Sequence, residues 1–318
     1  MNWKNSIRLN PVFWSILIFV IAQALTFGVI SRENSFLETN QIYLPPPPPD
    51  IVSVWPETTT SPSGETTQTP LYSSLGPVLI YFFAVIVILG VVLFVIPLSA
   101  LKIVLRAMFA FLFGWAVFIV LVLWIPWPIT ACVALAVGIT WFLIPKIWLH
   151  NIAMVLAMVS VGAVFGRMLS PWTAMLILIA LAIYDFLAVR FGYMIWMAKK
   201  MSDTNALPAF FIPKSISDWS DSLKESAVTK IVEEKPSDRQ YSILGGGDIG
   251  FPLLLVSSVY FAAGFSYAVV ISAFALLGLI GAYWIQAKFL KGKAIPALPP
   301  IAGLSLIGLV IISLFVLF

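Results

Sequence analysis

The chain is 318 residues long, 61% hydrophobic and 10% charged, with a mean hydropathy of +1.02. A soluble domain carries about 25% charged residues because its surface faces water, so most of this surface must face lipid. The formal net charge of +4 does not point to nucleic acid, since the positive residues are dispersed among predicted membrane boundaries.

Hydropathy predicts nine helices, at roughly 11–30, 75–97, 105–125, 128–145, 150–169, 171–198, 244–265, 267–288 and 296–318. Lys4 and Arg8 precede the first, which reads as a retained helix rather than a cleaved leader. The loop 31–74 follows. Its proline run, Pro45 to Pro49, favours extended polyproline II, and the Thr, Ser and Gly residues after it read as flexible. Pro126 and Pro128 break the third helix from the fourth, Pro145 ends the fourth, and Pro171 starts the sixth after Ser170. Residues 199–243 form a second, charged loop with an apolar patch, Ala206 to Pro213. That patch reads as a loosely packed surface segment, a stretch lying on the membrane, or a plug.

Lys and Arg concentrate in cytoplasmic loops. With the N-terminus inside, sixteen of the eighteen fall in inner segments, and only Arg32 and Arg167 lie outside. The reverse threading inverts that bias. The expectation is an all-α, multi-pass protein of the cell membrane, with a cytoplasmic N-terminus and an extracytoplasmic C-terminus. It divides into an N-terminal bundle, 1–198, including external loop 31–74; a cytoplasmic loop, 199–243; and a C-terminal bundle, 244–318. Cys132 is alone, so no disulfide framework or cysteine-ligated metal is available. His150, the single histidine, sits near Trp148 at a predicted membrane edge and reads as structural, so no metal or cofactor is expected.

Of the fourteen Asp and Glu residues, two fall inside apolar stretches: Asp185 in the sixth helix and Asp248 at the start of the seventh. The other twelve are assigned to the two hydrophilic loops. Ionisable groups in hydrocarbon persist where a function or a partner retains them. At about 1.5 Å rise per residue, Asp185 lies roughly 7–8 Å and Asp248 roughly 6 Å from the cytoplasmic face, on helices running in opposite directions. Two carboxyls at one depth in low dielectric cannot both ionise cheaply, so a close pair shares a proton. One member then takes a proton from water while the other polarises an amide carbonyl.

Three other features surround this pair. Gly245, Gly246 and Gly247 allow close backbone approach and unusual dihedrals, or simply begin a helix. Tyr184 offers a hydroxyl donor or aromatic packing. Pro296, Ala297 and Leu298, followed by Pro299 and Pro300, keep the chain non-helical with free carbonyls, or initiate the last helix.

Taken together, Tyr184-Asp185, Gly245-Gly246-Gly247-Asp248 and Pro296-Ala297-Leu298 resemble the presenilin and signal peptide peptidase family, the GxGD intramembrane aspartyl proteases. The positive-inside count and Pro299 match the presenilin sense, so the chain looks like a compact microbial, archaeal-type presenilin homologue. The resemblance implies catalytic Asp185 and Asp248, with the proline motif supporting site and substrate. It also implies substrates that are transmembrane proteins in the bilayer, with an external N-terminus. A homo-oligomer is compatible with the chain, and the sequence demonstrates no partner subunit. The alternative is a secondary transporter or ion channel using the two aspartates, although no internal repeat is detected. A prepilin-type peptidase explains neither the last-helix motif nor nine spans.

Overall fold

A computed structural model describes residues 10–42, 58–60, 66–68, 74–95, 97–192, 207–223, 241–289 and 296–316. Among these are nine α-helices: α1 (Pro11–Thr39), α2 (Leu75–Val95), α3 (Leu98–Leu121), α4 (Trp127–Leu143), α5 (Ile147–Met168), α6 (Pro171–Arg190), α7 (Gly246–Ala263), α8 (Phe265–Phe289) and α9 (Leu298–Val316). Eight are long and apolar enough to cross a membrane, and α4 is shorter at 17 residues. The protein is a mostly helical, polytopic membrane protein.

Helix starts follow local chemistry. Pro11 and Pro171 occupy first-turn positions where no N–H is needed. Asn10 and Ser170 cap them, with Oδ1 accepting from the Val12 N–H at 3.0 Å and Oγ from the Thr173 N–H at 3.1 Å.

The all-α expectation needs correction at two places. Within loop 31–74, β1 (Thr58–Thr60) pairs antiparallel with β2 (Thr66–Gln68), so part of a segment expected to be flexible is a short hairpin. The proline run Pro45 to Pro49 lies outside the described residues. In the second loop, β3 (Ala209–Pro213) pairs antiparallel with β4 (Tyr241–Gly245), in register Ala209↔Gly245, Phe211↔Ile243 and Pro213↔Tyr241. Every residue of β3 is buried. Residues Ala209–Pro213 of the apolar patch are therefore an interior strand, not a loose surface segment; their side chains pack under the helix ends, which local hydropathy alone does not reveal.

Two helix ends also differ from expectation. Helix α1 continues nine residues past 30 to Thr39, so Glu33 and Glu38 are helical rather than in a loop. Hydropathy marks where a helix leaves hydrocarbon, not where its backbone bonds stop. The polar turns here have partners: the Arg32 Nε–H donates to Leu123 O at 3.0 Å, and Arg167 Nη1 donates to Asn34 Oδ1 at 3.0 Å with Glu33 at 3.6 Å. Helix α6 ends at Arg190 rather than 198. Gly192 takes φ +73° in the turn that follows, the left-handed conformation that closes helices; residues 193–198 lie outside the described residues.

The centre of the molecule is a seam in which α5 and α7 run parallel and in register. Met154 faces Gly246, Met158 faces Gly250, Gly162 faces Leu253 and Gly166 faces Ser257. Lipid chains are as apolar as leucine, so membrane helices associate through close van der Waals contact, which small residues permit. A methyl added at Gly162 would meet Leu253 Cβ at 3.1 Å and Leu253 backbone C at 3.2 Å. One at Gly166 would meet Ser258 N at 3.0 Å and Leu254 O at 3.1 Å. Backbone atoms cannot step aside as side chains can. Similar approaches join α3 to α4, where Gly138 faces Ala110 O, and α8 to α9, where Gly278 faces Ile301.

Replacing Gly166 with Ala should overpack the seam and lower the thermal midpoint of the detergent-solubilised protein, by about 1–3 kcal/mol of stability. Gly281→Ala, whose added methyl meets nothing within 4 Å, should leave the midpoint unchanged or higher. Equal effects of the two would show that the seam is not closely packed.

Candidate functional site

Asp185 lies on α6, five residues before its end, and is buried at 8% exposure. The backbone N–H of Leu298 donates to its carboxylate. Its Oδ2 is buried and, among the described residues, has no hydrogen-bond partner, which leaves that oxygen for a proton or a water. Tyr184 is half-buried beside it.

Leu298 is the first residue of α9, and Pro299 and Pro300 are its second and third. The last-helix motif is thus less irregular than its prolines suggest. Pro296 and Ala297 are non-helical, and the Ala297 carbonyl is already used, accepting from Ile301 N at 3.4 Å. First-turn N–H groups have no intrahelical acceptor, so prolines cost little there. Their effect is to leave Leu298 as the single N–H donor among the first three residues of α9, and that donor serves Asp185.

Asp248 stands in the first turn of α7, three residues after the N-cap Gly245. Its carboxylate accepts the Gly245 backbone N–H, the arrangement by which an acid at the third helical position reaches back to its own cap. Asp248 and Asp185 are within electrostatic reach of each other. Each acid therefore takes a backbone N–H at the N-terminus of a different helix, where free N–H groups and the helix dipole favour negative charge. The structure brings together Asp185, Asp248, Gly245 and Leu298, with Gly246, Gly247, Ala297 and Pro296 on the adjoining turns.

The glycine run acts through space rather than through backbone dihedrals. Gly245 has φ −60° and ψ 138°, and neither Gly246 nor Gly247 has positive φ. A methyl at Gly245 would sit 3.0 Å from Asp248 Oδ2, and one at Gly246 would sit 2.7 Å from Met154 Cε and 3.0 Å from Pro208 O. At Gly247 it would meet the Phe251 ring at 3.1 Å. The run lets strand β4 turn directly into α7 while pressed against α5 and β3. Pro252, inside α7, has no N–H to offer the Asp248 carbonyl one turn earlier.

Two contributors are not apparent from the motifs. Tyr283, half-buried on α8, is within electrostatic reach of Asp248 and hydrogen-bonds Ser15 of α1. Its depth, six residues before the end of α8, is the signal that points to it. His150 is not interfacial as expected but fully buried, with Nε2 2.9 Å from Ala209 O. Beside it, Asn151 bonds both backbone groups of Phe211, through Nδ2→O at 2.6 Å and N→Oδ1 at 3.0 Å. Among the described residues no cluster of three or more His, Cys, Asp or Glu side chains is placed to hold a metal.

A family model described as "Signal-peptide peptidase, presenilin aspartyl protease" matches residues 56–317, a span that holds both aspartates and the last-helix motif. Two crystal forms of a presenilin family intramembrane aspartate protease share the fold. One is 17% identical with a TM-score of 0.58, covering 96% of this chain and 100% of that one. The other is 19% identical with a TM-score of 0.53, covering 94% and 96%. No curated protein matches the sequence.

At the far end of β4, Tyr241 donates its phenol to Asp221 Oδ2 at 2.7 Å. Burial and then that carboxylate push the phenol above its ordinary value. A folded-state value above the unfolded one, about 10, gives stability that is complete below pH ~10 and is lost as pH rises through the folded value. Thermal unfolding should be flat between pH 7 and 9 and weaken at higher pH. Tyr241→Phe should lower the plateau and shrink the alkaline fall; an unchanged alkaline fall would remove Tyr241 as its source.

Proposed function

The chain belongs to the signal-peptide peptidase, presenilin aspartyl protease family, and from that premise we propose that Asp185 and Asp248 form the catalytic pair of an intramembrane aspartic endopeptidase. One observation carries the assignment of residues: two acids from α6 and α7 interact electrostatically while each accepts a backbone N–H at a helix start. Two adjacent negative charges in low dielectric repel strongly, so the pair is most stable with one shared proton. That state holds a base and an acid together.

The reaction follows. The ionised carboxylate takes a proton from water as its oxygen attacks the carbonyl carbon of a substrate peptide bond. The protonated carboxyl gives its proton to the carbonyl oxygen. Collapse of the tetrahedral diol passes a proton to the amide nitrogen and breaks the C–N bond, leaving a carboxylic acid and an amine. The titration belongs to the pair, so neither residue is permanently acid or base.

Peptide hydrolysis needs an unwound substrate. Strand β3 has β4 on one edge and the Asn151 amide on the other, whereas β4 pairs only with β3 among the described residues. An extended segment laid along the open edge of β4 leads its peptide groups toward Asp248. In this reading Pro296, Ala297, Leu298 and Tyr184 support the site from α9 and α6, while Gly245 keeps side-chain bulk away from Asp248 Oδ2 and Gly246 and Gly247 let the turn pack closely. The pair comes from two parts of the chain, Asp185 from the bundle 1–198 and Asp248 from the bundle 244–318, joined by the cytoplasmic loop 199–243.

The substrates are transmembrane helices. We read all nine helices as spans, with the N-terminus cytoplasmic and the C-terminus outside, the presenilin sense. The grouping of Arg32 and Arg167 beside the ends of α1, α3 and α5 supports this. A C-terminal epitope tag should be reachable by protease only from outside intact cells; digestion only from the cytoplasmic side would reverse the topology.

Asp185→Asn and Asp248→Asn should each abolish cleavage of a helical membrane substrate, by about 10³-fold or more, while folding normally. A mimic carrying a hydroxyl in place of the scissile carbonyl should inhibit the wild-type protein. Full activity in either mutant would refute the pair. Ion-driven uptake into vesicles that is lost in the same mutants would favour transport.

A further inference from the structure

Asp185 and Asp248 stand on α6 and α7, which pack together along their middles, while the first turn of α7, which carries Asp248, is met by α5 and by the residues around β3. Helix α5 presents His150, Met154 and Met158 at intervals of one helical turn. They meet Ala209, Gly246 and Gly250 respectively. The first contact is to β3, and the other two are to the start of α7.

The contact to β3 has the form of a third strand. In an antiparallel pair, facing residues exchange an N–H and a C=O. Asn151 reproduces both bonds with one side-chain amide, donating to Phe211 O and accepting from Phe211 N. Next to it, a carbonyl can only accept, so His150 must carry its proton on Nε2 and donate to Ala209 O. The rings of Phe113, Trp141 and Phe211, with centroids 5.5, 5.9 and 5.4 Å away, fix the imidazole plane. Both side chains are buried, at 0% and 4% exposure, so losing either partner would strand a backbone group away from water.

What β3 holds in turn is the turn bearing Asp248. Ala209 pairs with Gly245 and Phe211 with Ile243. Pro208 O accepts the Gly246 N–H at 3.0 Å, and Gly245 N–H bonds the Asp248 carboxylate. We propose that His150 and Asn151 are positioning residues that set the location of Asp248 relative to Asp185 by gripping strand β3 from α5. The inference rests on the catalytic reading of the two aspartates, but its geometry is measurable without catalysis.

The test places cysteines at the pair, as Asp185→Cys with Asp248→Cys in a Cys132→Ser background. Their bridging rate by a short bis-methanethiosulfonate reagent is measured in membranes, alongside the thermal midpoint. Adding Asn151→Ala should slow bridging about tenfold. In the otherwise native protein Asn151→Ala should lower kcat by a similar factor with KM within twofold, because the binding surface is left in place. His150→Leu should do the same, and His150→Gln, whose amide offers a donor near the Nε2 position, should restore most of both.

A lowered thermal midpoint with unchanged bridging and kcat would mean that the two residues only stabilise the fold, and would overturn the proposal. So would equal behaviour of His150→Leu and His150→Gln, a comparison that decides the matter if Asn151→Ala fails to fold. If the wild-type chain cleaves no membrane substrate yet bridging responds as described, the proteolytic reading fails and the positioning role stands.

Discussion

Close contact between α5 and α7 is the constraint on which the rest of the structure depends. In water a helix pair is held by removing apolar surface from solvent, but a bilayer offers no such gain. Backbones must instead approach until dispersion and backbone contacts outweigh those with lipid. Glycine supplies that approach from both sides, Gly162 and Gly166 on α5 and Gly246 and Gly250 on α7. Because the helices are parallel and stepped by the same rise, each contact fixes the next.

The seam is held at both ends by polar groups that hydrocarbon could not accommodate unpaired. At the C-terminal end of α5 Arg167 binds Asn34, faces Glu33 and lies 4.6 Å over the Phe261 ring, tying α5 to α1 and α7. At the N-terminal end of α5 the His150 and Asn151 bonds tie it to β3. Asp248 belongs to this braced body. Asp185 belongs to α6, which reaches the same place through α7 and through the Leu298 N–H of α9. The two acids therefore take their backbone donors from different parts of the molecule and influence each other electrostatically. Helix starts serve them well because a free N–H stabilises negative charge without bringing a second ionisable group into the bilayer.

Much of this was legible in the sequence. Nine apolar runs separated by prolines and charges foretell nine helices, since only helices and closed barrels satisfy backbone groups in lipid. Depth counting on α6 and α7 puts Asp185 and Asp248 at one level. The strands are harder to read. Ala206 to Pro213 is apolar, too short to span, and β3 pairs with residues some thirty positions later, a non-local choice invisible to any window. Asn151 looks like a polar residue near a helix end, and His150 like an interfacial one, because each acquires meaning only from β3. The glycine run is recognisable as special, but for a different reason from the one its dihedral freedom suggests. Pro299 and Pro300 likewise matter through the N–H groups they lack.

The register of the seam has a consequence in time. Its contacts join residues about 90 positions apart, so at translation rates of ~5–20 residues per second α5 waits about 5–18 s for its partner. Asp185 enters the bilayer during that interval without Asp248, and the Leu298 N–H arrives later still. A nascent chain therefore carries Asp185 alone while the 63 residues from 186 to 248 are made. A protein that cuts membrane helices is itself assembled from membrane helices, and its α6 acid is made well before the α7 acid and the α9 N–H that complete its surroundings.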